Sequence, residues 1–116
     1  MQINMLIEKS EIRNVNGISK KQKRKIRDFL QGAVYSWCKN KKGEWFAARD
    51  LLGGDNFYWE GTPMYALYEK SKDVEQAGKD AGWLLKKVIN KDKRSFNTRK
   101  EGRVREYCWN EKEDNS

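Results

Sequence analysis

Between Asp73 and Trp109 the chain changes its apolar period once, and that change restricts the fold more than any other feature of the 116 residues. Val74, Ala77, Ala81, Leu84, Leu85, Val88 and Ile89 recur three and four residues apart, which places them on one face of a helix. Asp73 stands where that helix needs an N-cap. Beyond Asn90 the helical spacing stops. Ser95–Arg99 and Arg103–Trp109, carrying Phe96, Thr98, Val104, Tyr107 and Trp109, read as two strands. Lys100-Glu101-Gly102 reads as the turn between them, Gly102 supplying the positive φ of a bulged three-residue loop. A long helix followed at once by a hairpin is therefore expected.

The residues upstream supply the rest of a helical core. Ser19 is a good N-cap, and Gln22 three residues later completes a capping-box pattern. Ile26, Phe29, Leu30, Ala33, Val34 and Trp37 then recur at helical spacing, predicting a helix to about Cys38. Trp45 and Phe46 suit a very short strand, and Ala47–Leu52 a short helix closed by Gly53-Gly54. Asp55–Gly61 is an aromatic loop holding Phe57, Tyr58 and Trp59. Thr62-Pro63 offers a cap and a first helical position for a segment ending near Ser71. The expected fold class is α+β, mainly helical, with a helical core and a C-terminal β-hairpin. Phe29, Leu30, Ala33, Trp37, Leu67, Leu84, Leu85 and Val88 are the predicted core. Residues 1–18, where Ile3, Met5 and Ile7 alternate and Asn14–Gly17 suggests a turn, read as an N-terminal arm. Residues 110–116 read as an acidic, disordered tail.

Only 37% of the residues are hydrophobic and 36% are charged, so the core must be lean. Five Trp, five Tyr and four Phe compensate, because aromatic rings bury large areas and are scarce in disordered chains. No apolar run is long enough for a membrane span, and the N-terminus lacks the pattern of a signal peptide. A cytoplasmic protein with two reduced thiols, Cys38 and Cys108, is the expectation. The chain has no His, which removes the usual structural zinc patterns and the commonest general base near neutral pH. No carboxylate spacing nominates a metal pair, and capping or turn roles explain Asp55 and Asp73. No metal, cofactor or catalytic activity is expected.

The formal net charge is +8, from 25 basic and 17 acidic residues, a balance that favours nucleic acid or an acidic partner. Its distribution says more. Lys20, Lys21, Lys23, Arg24, Lys25 and Arg27 crowd the start of the first helix, the end where the helix dipole opposes them. Ten more basic residues lie between Lys79 and Arg105, beyond an acidic middle. On the long helix, Lys79, Trp83, Lys86, Lys87 and Asn90 are three or four apart and are expected to share one surface. Trp83 fits either a half-buried position against a loop or a binding surface. Lys93, Arg94, Arg99, Lys100, Arg103 and Arg105 follow in the connection and the hairpin.

Helix, short strand, short helix, second helix, long helix, hairpin: over Ser19–Trp109 this order resembles a winged helix-turn-helix domain. The segment AGWLLKKVINKDKRSFNTRKEGRVREYCW is similar to the helix-and-wing end of phage and plasmid replication or regulatory proteins. The chain departs from the simplest pattern by an extra helical segment around Pro63–Ser71. The resemblance implies a recognition helix over Lys79–Asn90 and a wing carrying Arg99, Lys100, Arg103 and Arg105. It implies a non-catalytic DNA-binding protein of a mobile element, with double-stranded DNA as the expected partner. Lys and Arg would bind phosphates, Asn90 suits adenine, and Trp83 would stack on an unpaired base. A second reading stays open, a small inhibitor of a host nucleic-acid-processing complex of the anti-CRISPR or anti-restriction type. Its protein partner would be engaged through the Phe57–Trp59 loop. Composition leaves the oligomeric state undetermined.

Overall fold

The Ser19 capping box forms as its spacing predicts. In the computed structural model, which describes residues 12–54 and 58–115, the Gln22 N–H donates to Ser19 Oγ at 3.0 Å. The Ser19 N–H donates to Gln22 Oε1 at 2.8 Å. Helix α1 (Lys20–Asn40) follows, with no acidic residue in its first turn. It buries Ile26, Leu30, Val34 and Cys38, a single i, i+4 row. Phe29, Ala33 and Trp37, expected inside, flank that row and are only half-buried. Trp37 sits at the edge because its indole N–H donates to the Glu44 carbonyl at 3.1 Å.

After the turn at Gly43, Phe46 exchanges both backbone hydrogen bonds with Tyr107, each 2.8 Å. A one-residue third strand is thereby added to the hairpin. Its ring meets Phe96 edge-on at 6.2 Å and Trp37 at 5.7 Å, an aromatic cluster that joins hairpin to helices. Helix α2 (Ala48–Leu51) is one turn long. Its Asp50 carboxylate accepts from the Ala47 N–H at 2.7 Å. Gly53 and Gly54, both at positive φ, end it.

Helix α3 (Tyr65–Ser71) starts two residues later than Pro63 suggests. Thr62 and Pro63 form a tighter turn, with i→i+3 bonds such as Tyr65 N–H to Thr62 O at 3.2 Å. Helix α4 (Val74–Lys91) is capped by Asp73, which accepts from the N–H groups of Glu75 and Gln76. It buries Ala77, Ala81, Leu84, Leu85, Val88 and Ile89 of the expected stripe, and also Asp80 and Lys86, whereas Val74, expected in that stripe, is exposed at the first turn. The Asp80 carboxylate meets Lys70 Nζ of α3 at 2.7 Å and accepts from Gln76 Nε2 at 3.1 Å. A buried ion pair thus ties α3 to α4. Gly17 crosses the same lysine, and a Cβ placed there would stand 3.1 Å from Lys70 Cδ.

Strands β1 (Phe96–Glu101) and β2 (Val104–Trp109) pair antiparallel, Phe96 opposite Trp109 and Glu101 opposite Val104. The turn therefore has two residues, Gly102 and Arg103, and not the three expected. Gly102 has φ +61°, which suits the first position of a two-residue hairpin turn whose twist matches the strands. Glu101 consequently stays within the ladder.

Packing and hydrogen bonds also involve residues near either end of the chain. Val15 is buried in the core, so packing reaches into residues assigned to an arm. The tail, expected to be disordered, forms a helical turn, α5 (Glu111–Asp114). Three donors hold Asp114: the Trp109 indole at 2.7 Å, the Ser95 N–H at 3.0 Å and the Ser95 hydroxyl at 2.8 Å. The alternating segment around Met5, together with Asp55 and Phe57, lies outside the described residues. No helix among the described residues is long and apolar enough to cross a membrane.

Partial burial works to raise the Asp114 pKa, but the Trp109 and Ser95 hydrogen bonds and the nearby Arg94 outweigh it. The carboxyl is held below its ordinary 3.8. A depressed folded pKa contributes stability above the unfolded value, and that contribution is lost as pH falls through the folded one. Tail docking is therefore expected to weaken only below 3.8, read as a change in Trp109 fluorescence that Asp114→Ala removes. A transition at higher pH would contradict the assignment.

Candidate nucleic-acid interface

Cations spaced along α4 and across the hairpin meet because β2 folds back beside that helix. Strand alternation sends Thr98 and Lys100 to the same face as their partners Tyr107 and Arg105. Tyr107 fills the core, while Lys100 and Arg105, nearer the turn, extend past it toward α4. The result is a cleft of about 600 Å³ between helix and hairpin. Lys79 and Lys86 enter from α4, and Lys100, Arg103 and Arg105 from the hairpin. Arg49 of α2 and Arg13 of the N-terminal segment complete the set. Among the described residues lining it, seven are Lys or Arg and none is acidic.

Trp83 forms part of the cleft wall and is half-buried against the core. The Arg13 guanidinium and the Lys86 ammonium each lie 5.2 Å from its ring centroid. These are cation–π distances, so the indole holds two of the cleft's charges in place. Lys86 is buried at 9% exposure, a correction to the exposed position that its helical spacing suggested. Its ammonium lies over the Trp83 ring, and long cationic side chains bury their stems along apolar surface. At the cleft floor the Tyr107 hydroxyl is buried and makes no hydrogen bond among the described residues. Burial raises its pKa, against the pull of Arg105.

Five expected site residues lie elsewhere. Lys87 turns toward α1 and donates to Asn14 Oδ1 at 2.6 Å. Partial burial, followed by Lys23, Lys91 and Arg27, lowers its pKa, so it belongs to a second basic ridge over the start of α1. Asn90 and Lys93 are exposed beyond the described lining of the cleft. Arg94 is a structural cation, paired with Asp92 at 2.8 Å and lying 4.3 Å from the Tyr35 ring centroid. Arg99 points to the opposite face of the hairpin from Lys100. It pairs there with Glu106 at 2.8 Å and lies 4.1 Å from the Trp45 ring centroid. Conversely, Arg13 and Arg49 were missed in the sequence. Neither belongs to a basic run, and only chain packing brings them to the cleft.

A second groove, of about 560 Å³, lies along the N-terminal half of α4. Tyr58, Trp59, Tyr65, Tyr68, Leu52 and Val74 give it an aromatic and apolar lining. It shares Ala48, Arg49 and Gly78 with the basic cleft, so the two adjoin. Cys38 and Cys108 are free and buried. Burial above all, partly offset by Arg94, pushes the Cys38 thiol up to about 11, far from a reactive thiolate. No protein-family model, curated protein or solved structure matches the chain.

Proposed function

We propose that this protein is a non-catalytic nucleic-acid-binding protein that holds phosphates in the cleft between α4 and the hairpin, with DNA as its ligand. The observation that carries this reading is the lining itself, seven cations and no acid among its described residues. Lys79, Lys100, Arg103 and Arg105 carry like charge into one cleft and repel one another. Lys100 and Arg105 even stand directly opposite in the ladder, an arrangement that destabilises a hairpin. A polyanion relieves that repulsion and releases its own counterions on binding. The winged helix-turn-helix reading is supported by the element order and by the pairing of Phe46 with the last strand. In that reading α4 is the recognition helix and β1–β2 the wing.

The test is the affinity of the purified protein for DNA measured across salt concentrations. The logarithm of the binding constant should fall linearly with the logarithm of salt, by about 0.9 for each duplex phosphate contacted. No affinity for duplex or single-stranded DNA at low salt would refute the reading. The inhibitor reading would then lead, favoured by the exposure of Tyr58 and Val74, 81% and 77%, in the aromatic groove.

A further inference from the structure

The aromatic groove adjoins the basic cleft, and Ala48, Arg49 and Gly78 border both. A Cβ built on Gly78 would meet nothing within 4 Å, so the passage over α4 is open at this point. The charge of the lining changes across it. Among the described residues the cleft's charged lining is all cationic, whereas the groove's is one of each sign, Arg49 and Glu60. Phosphates therefore suit the cleft and uncharged flat groups suit the groove. Tyr65 and Tyr68 already stack there, ring centroids 5.8 Å apart and planes within 27°. The Lys72 ammonium stands 5.6 Å from the Tyr68 centroid.

We infer that a strand whose phosphates lie in the cleft continues over Gly78 and lays unpaired bases in the aromatic groove, so that the preferred ligand contains a single-stranded segment. A positively charged track beside aromatic platforms is how single strands are held without sequence preference, because every base offers a π-face. The duplex, whose bases are already stacked on one another, has nothing to place in the groove. This inference rests on the nucleic-acid reading above and names its substrate class.

Fluorescence anisotropy at one low salt concentration decides it, comparing a blunt duplex with the same duplex bearing a single-stranded extension. The extended ligand should bind about tenfold more tightly, the effect of stacking roughly one base. Tyr58→Ala should reduce that advantage and leave blunt-duplex affinity unchanged. Val74→Glu, which adds a negative charge in the groove at a residue that does not line the cleft, should do the same. Because Val74 is 77% exposed, that variant keeps the fold. If both ligands bind equally, or if the advantage survives both substitutions, the inference is overturned while the cleft's function stands, and the groove falls to a protein partner. If neither ligand binds, both the inference and the reading beneath it fail.

Discussion

Replacing Lys79, Lys100, Arg103 and Arg105 together with alanine is expected to weaken DNA binding by about a hundredfold or more, as loss of several charge-assisted phosphate contacts implies. The salt dependence should flatten in the same variant, by up to about 0.9 per contact removed. Stability should move the other way or not at all. The four side chains share one cleft, and Lys100 faces Arg105 across the ladder. Removing them relieves repulsion worth a few tenths of a kcal/mol or more per pair. A thermal melt that is unchanged or raised, beside a large loss of affinity, separates this outcome from simple unfolding. The matching control is Lys93→Ala with Arg99→Gln, which alters charge outside the cleft. An equal loss in the control would mean that net charge, and not this cleft, carries the binding.

The largest effect on stability is expected at Asp80. Its side chain is 7% exposed, that of Lys70 is 17%, and they meet at 2.7 Å. Asp80→Ala leaves a mostly buried ammonium without its counter-charge, and should cost about 3–5 kcal/mol in a urea titration. The ion pair itself need not be strongly stabilising, because both charges lose hydration on burial. Accordingly Asp80→Leu combined with Lys70→Met should recover most of the loss, apolar side chains being able to replace a buried pair. A single substitution that costs less than 1 kcal/mol, the range of surface pairs, would show that the pair is in effect solvated. The site matters beyond stability, since α3 and α4, which this pair joins, form two walls of the aromatic groove.

Local signals in the chain determined where most elements begin and end. Ser19 with Gln22, Asp73, the Gly53-Gly54 stop and Gly102 each act through a hydrogen bond or a φ value within a few residues, so their effect is readable without knowing the fold. The helical stripe of α4 and the short pairing segment at Phe46 were legible for the same reason. Which charges share a surface was decided by contacts between residues far apart in sequence. Arg13 and Arg49 reach the cleft through packing of separate segments against α4. Lys86 is drawn inward by the Trp83 ring, and Lys87, one residue on, is turned to α1 and Asn14. Arg99 and Lys100 must oppose each other on any strand, but register against β2 chose which one faces the helix. Acidic composition alone suggests a disordered tail, yet Asp114 is fixed by donors on Ser95 and Trp109, which only the folded hairpin presents together. Caps and turns are short-range interactions, whereas a charge constellation is made by the faces that long-range packing brings together, and that is why the first were written locally and the second was not.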